Sequence, residues 1–231
     1  MYDVEEAHFE DRQDAGQRLA TELEDYRGKN AIVVALPRGG VVVGYEIARH
    51  LGLPLDVIIT RKIGAPGNPE YAIGAVAENG EAVVNEREID AYGISRRYVE
   101  AETARQREEI ERRVQLYRQG RRLPDLKGKI AIVVDDGIAT GFTMFAAVKA
   151  VKAEGPAAVV VAVPVAAPSS LHTLKSEVDR LVYLAAPSPF WAVGMFYRDF
   201  AQVSDEEVRD YLKKAGEGTS ASAADEPAGG G

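Results

Sequence analysis

Two adjacent carboxylates, Asp135 and Asp136, end an apolar run and open a loop of small residues. The full stretch is Ile132-Val-Val-Asp-Asp-Gly-Ile-Ala-Thr-Gly-Phe-Thr143. Like charges about 4 Å apart repel by about 4 kcal/mol at an effective dielectric of about 20. Such a pair makes sense where hydroxyl groups or a cation come between the acids. The following residues, Gly137, Ile138, Ala139, Thr140 and Gly141, lead into an expected helix start at Phe142 and Thr143. Free N–H groups at a helix start bind anions, and small side chains let the anion come close. Thr140 and Thr143 add hydroxyl donors. A ribose 5-phosphate meets both demands: its phosphate lies in the amide loop and its ring hydroxyls donate to Asp135 and Asp136. Mg2+ held indirectly by the two acids, through ribose hydroxyls or water, relieves the remaining repulsion. An Asp that merely caps a turn explains one acid, not the pair with Thr-Gly-x-Thr. The loop lacks the lysine of a Walker loop, and no G-x-G-x-x-G follows any strand.

Short apolar runs alternate with helical patterns around this stretch. Strands are expected at 31–35, 55–60, 130–134, 157–163 and 181–184. Val43, Ile47 and Leu51 share a helical face, as do Met144, Ala147, Val148 and Val151. Gly52 with Pro54 and Gly155 with Pro156 stop those helices. Continuous apolar strands between helices predict an α/β fold with a doubly wound, mostly parallel sheet covered on both faces. In such sheets ligands bind at the carboxyl ends of the strands. Two segments break the rhythm. The Gly/Pro-rich stretch 61–80 reads as a long functional or mobile loop. The charged stretch 95–122 reads as an inserted helix capped by Ser95, with only a partial apolar stripe. It is expected to be a solvated surface helix, with a dimer contact or a flap over a site as the alternative. Residues 1–214 are read as one domain and the Gly/Ala/Ser-rich 215–231 as a disordered tail.

The 231-residue chain has 46% hydrophobic residues and a formal charge of −8. It can bury a substantial core without staples. It has no cysteine, and His8, His50 and His172 show no metal-ligand spacing. The acidic balance argues against nucleic-acid binding, which needs a basic face. No apolar run approaches a membrane span, and the acidic N-terminus is unlike a secretory signal, so a cytoplasmic location is expected.

The strand, acid pair and Thr-Gly-x-Thr loop resemble the phosphoribosyl-diphosphate motif of type I phosphoribosyltransferases. Gly137 and Ala139 depart from it, standing where many members carry an apolar and a hydroxyl residue. Ala35-Leu-Pro-Arg-Gly-Gly40 resembles the family's diphosphate loop, which often holds a cis peptide. The resemblance implies diphosphate contacts from Arg38, Gly39 and Gly40, and from Arg61 and Lys62 on a closing loop. It counts Asp135, Asp136, Arg38 and Lys62 as the catalytic set and residues 137–143 as the 5-phosphate cradle. The aromatic segment 189–200 resembles a small C-terminal hood, with Trp191, or else Phe190, stacking on an acceptor base. The resemblance runs from about Phe9 to about Val208. It is greatest to bacterial and archaeal members of unassigned acceptor, which share wording such as Arg-Lys-Ile-Gly-Ala-Pro-Gly-Asn-Pro-Glu.

This resemblance implies a phosphoribosyltransferase that uses phosphoribosyl diphosphate and Mg2+ in a homodimer. It would ribosylate a small-molecule nitrogen acceptor, in the manner of nucleobase salvage, and release diphosphate. A non-catalytic sensor of phosphoribosyl diphosphate or a nucleotide on the same fold is the alternative. A receiver-type signalling domain is disfavoured, because no separate phosphoacceptor Asp and strand-end Lys are found.

Overall fold

Strand β1, Ala31–Ala35, is buried at every position. Its alternate residues face two different cores. Ile32 and Val34 pack with Met144, Ala147 and Val151 of α5 (Phe142–Ala153). Ala31 and Val33 pack with Leu19 of α1 (Arg12–Thr21) and Val43 and Ile47 of α2 (Gly39–Leu51). A strand buried on both faces needs apolar side chains at every position, and this run supplies them.

The computed structural model describes residues 8–121 and 123–224. Four further strands join β1 in the main sheet: β2 (Leu55–Val57), β6 (Ile130–Val134), β7 (Ala158–Val165) and β8 (Arg180–Ala185). The sheet is parallel throughout and ordered β2-β1-β6-β7-β8. The second strand is therefore shorter than expected, and the fourth and fifth slightly longer. The chain leaves β1 toward α2 on one face and leaves β6 toward α5 on the other. The helices that follow β1 and β6 thus lie on opposite faces, which puts the switch point of the sheet between these two strands.

The stretch expected to be a long loop is instead an antiparallel hairpin. Strands β3 (Thr60–Ala65) and β4 (Asn68–Ala77) pair, and β5 (Ala82–Val84) extends the sheet. Ile63, Ile73 and Val76 bury their side chains in a third core with Val99, Ile110 and Tyr117. The Gly and Pro residues belong to the turn and a register shift at Gly64, not to an unstructured segment. A short helix, α3 (Glu86–Ala91), leads to α4 (Arg96–Arg118). The Ser95 side chain caps α4 by accepting from the Tyr98 N–H, as its sequence position predicts.

Helix α4 is thus not merely solvated. Tyr98 donates to the Gly64 carbonyl at 2.9 Å, and Arg118 is ion-paired to Glu78 with both side chains more than nine-tenths buried. After α6 (Pro168–Leu174) and β8, the last helix, α7, runs Asp205–Ala224. It continues through residue 215, where the tail was expected to begin. The rest of that tail, 225–231, lies outside the described residues.

Candidate active site

Asp135 and Asp136 stand at the carboxyl end of β6, beside the loop that leaves β1. That loop presses closely on them. A Cβ on Gly39 would lie 1.9 Å from Asp136 Oδ2, and one on Gly40 would lie 2.9 Å from Asp135 Cα. Only hydrogen at these positions lets the two loops meet. The Pro37–Arg38 peptide is cis, as in the loops this stretch resembles. Gly39→Ala is expected to cost about 1–3 kcal/mol, because its methyl group must displace the carboxylate or the loop. An unchanged chemical-denaturation midpoint would show that the close approach is not required.

Asp136 is held by a residue the sequence reading missed. Arg12 Nε donates to Asp136 Oδ2 at 2.7 Å, and Arg12 Nη1 donates to the Ala201 carbonyl at 2.8 Å. The Arg12 guanidinium lies 3.8 Å from the centre of the Phe200 ring. Tyr197 Oη donates to the Asp136 carbonyl at 2.6 Å. Arg12 and Tyr197 therefore tie the acid pair to the hood. Arg12 is 124 positions from Asp136, so no local signal marks it.

Asp135 accepts from the Asp136 N–H at 2.8 Å. Burial first, and then the neighbouring Asp136 charge, hold its carboxyl well above the ordinary value of 3.8. The folded protein thus holds this proton more tightly than the unfolded chain. The resulting stability is full below the ordinary value and is lost as pH rises through the raised one. Asp135→Asn is therefore expected to raise the melting temperature at neutral pH. That advantage should shrink as the solution is acidified. A pH series of thermal melts checks this, and a lower melting temperature at every pH would contradict it.

The loop after the acids is shaped by its neighbours. A Cβ on Gly137 would lie 2.5 Å from Val193 Cγ1, which explains why glycine stands there. Ile138 does not serve the expected cradle with its N–H. It donates to the Val165 carbonyl at 2.9 Å, and its side chain is buried in the core. Ser170 Oγ donates to the Ala139 carbonyl at 2.6 Å and holds the loop. Gly141 takes a left-handed conformation at φ 82° and starts α5 at Phe142. The first N–H groups of this helix have no partners within it. Thr140 is exposed, so its hydroxyl can reach a ligand.

A cavity of about 350 Å3 is lined by Pro37, Asp135 and Thr143, together with Arg61 and Lys62 of the hairpin. The structure thus brings both loops and the two hairpin cations together. Arg38 is not among the lining residues, and its Nη1 is 3.9 Å from Asp205 of α7. Trp191 is 76% exposed and also lies off this cavity. Phe190 is half-buried, and its ring packs 5.2 Å from Phe196, against the small core that holds Phe9 and Tyr197. Among the described residues, no cluster of three or more His, Asp or Glu side chains is placed to hold a metal. Also among them, no helix is long and apolar enough to cross a membrane.

The family model of the phosphoribosyl transferase domain matches residues 8–197. Two Mycobacterium tuberculosis proteins, Rv0571c (strain H37Rv) and MT0597 (strain CDC 1551), carry the provisional name phosphoribosyl transferase. Each is 42% identical to this chain over 90% of its length. The chain spans about half the length of these curated relatives, 47% of each. The crystal structure of TT1426 from Thermus thermophilus is 46% identical, with a TM-score of 0.74, over 90% of this chain and 98% of that one.

Proposed function

The chain belongs to the phosphoribosyl transferase domain family, and on that footing we propose that it transfers a phosphoribosyl group from phosphoribosyl diphosphate to a nitrogen acceptor. One observation carries this reading. The acid pair with its small-residue loop and the Pro37–Gly40 loop meet at the sheet's switch point, around a cavity that also holds Arg61 and Lys62.

In this reaction the bond from the anomeric carbon to diphosphate breaks, and a bond to the acceptor nitrogen forms. The residues position the reactants and stabilise charge. The N–H groups at the start of α5, with Thr140 and Thr143, hold the 5-phosphate. Asp135 and the Asp136 oxygen not engaged by Arg12 receive the ribose hydroxyls. Arg61 and Lys62 face the departing diphosphate, and Arg38 joins them once it leaves Asp205. The fixed hairpin wall helps keep water from the anomeric centre.

Asp135 and Asp136 would hold Mg2+ indirectly, through ribose hydroxyls or water, which suits an ion that keeps several waters and binds substrate phosphates. When bound, Mg2+ would neutralise diphosphate charge. Trp191 leaves an exposed ring face on the hood and is proposed as an acceptor contact.

The test is calorimetric titration of phosphoribosyl diphosphate with and without Mg2+, followed by a screen of nucleobases for diphosphate release. Mg2+-dependent binding with release on one acceptor supports the proposal. Tight binding without release from any acceptor selects a sensor in its place.

A further inference from the structure

The inserted helix α4 presents Glu102, Arg105, Gln106 and Arg113 to the same cavity as Asp135 and Thr143. These positions fall on one side of a helix. Of the carboxylates near them, Glu102 and Glu109 are already engaged, while the exposed Glu70 of the hairpin also lines the cavity. Glu102 accepts from Arg105 at 2.8 and 2.6 Å and from Gln106 at 2.7 Å. Glu109 accepts from Arg112 at 2.8 and 2.9 Å and from Arg113 at 2.8 Å. Arg61 is left without an acid of its own. Among the described residues, the one hydrogen bond from its guanidinium goes to the neutral Gln106 Oε1, at 3.0 Å. Arg61 is half-buried, and burial followed by the nearby Arg113 charge lowers its pKa, with the Glu109 charge offsetting only part of this. A half-buried cation crowded by another cation, with only an amide for a hydrogen-bond partner, lacks a counter-charge in contact with it. The cavity of about 350 Å3 on which both arginines open falls within the size range of small-molecule sites.

We infer that α4 is a built-in wall of the diphosphate subsite, in which Arg61 and Arg113 bind the leaving diphosphate and Gln106 is the positioning residue that aims Arg61. The planar guanidinium fork suits phosphate oxygens. This inference rests on the phosphoribosyl transfer proposed above. It extends the site beyond its two sequence motifs to a helix that carries neither.

Arg112 provides an internal control. It shares Glu109 with Arg113, but its side chain is 53% exposed against 14% for Arg113, and it does not line the cavity. Inorganic diphosphate with Mg2+ and, separately, phosphoribosyl diphosphate are titrated into the full chain. Arg113→Gln is expected to weaken both by about tenfold or more. Arg112→Gln should change them by less than about twofold, as an exposed ion pair contributes little. Arg113→Lys should recover only part of the loss, because lysine lacks the fork. A folded Arg113→Gln protein with wild-type affinity overturns the inference and leaves the proposed reaction standing. So does an Arg112→Gln protein that loses as much as Arg113→Gln. Wild-type protein that binds neither compound overturns the phosphoribosyl reading and this inference together. If Arg113→Gln does not fold, Gln106→Met interrogates the same wall through Arg61, and unchanged diphosphate affinity there is equally fatal.

Discussion

Replacing both acids, Asp135→Asn with Asp136→Asn, is expected to lower the proposed phosphoribosyl transfer by at least about a hundredfold, the scale seen when one transition-state contact is removed. Mg2+-dependent binding of phosphoribosyl diphosphate should disappear with it. The fold should survive. An asparagine at position 135 still offers an oxygen to the Asp136 N–H, and it removes a carboxyl that burial disfavours. An asparagine at position 136 still offers Arg12 an acceptor, although without charge. Calorimetry and diphosphate release on the purified variant, with a thermal melt as the folding check, decide the matter. A folded double variant with wild-type turnover would remove the acid pair from the mechanism.

The second large effect is on stability. Arg118 on α4 is ion-paired with Glu78 at the end of the hairpin strand β4, and burial raises the Glu78 pKa. Arg118→Met should cost about 3–5 kcal/mol in a denaturant titration, because it leaves a buried carboxylate unpaired. The loss should shrink at acid pH. Without the arginine the Glu78 carboxyl in the folded protein binds its proton more tightly than in the unfolded chain, so acid favours the fold. Glu78→Gln added to Arg118→Met should recover much of the deficit, since the uncharged amide costs less to bury. If the single variant is as stable as wild type, this pair does not anchor α4 to the hairpin.

The parts of the fold legible in the sequence are those with local causes. The strands at 31–35 and 130–134 are unbroken apolar runs and match the observed spans. The helix stops at Gly52 and Gly155 and the Ser95 cap depend on residues adjacent to them. The hairpin at 60–77 was hidden because its apolar residues are interleaved with Gly and Pro that serve the turn and register shift. The last helix, Asp205–Ala224, runs past residue 215, where the Gly/Ala/Ser-rich composition predicts a tail, and Val208 near its start is buried in the third core.

The sequence by itself marked the segments proposed to carry the chemistry. The acid pair, the small loop and the Gly-Gly turn each carry their signal within about a dozen contiguous residues. Tertiary structure alone decided what surrounds them. Arg12 reaches Asp136 from 124 positions away. Val193 fills the space that makes Gly137 a glycine. Gln106 takes Arg61 across 45 positions, and the half-buried Phe190 packs against Phe196 while Trp191 stays in solvent. The physical reason is range. Hydrophobic periodicity and turn chemistry act over a few residues, whereas ion pairs and close packing act between any atoms the fold brings together.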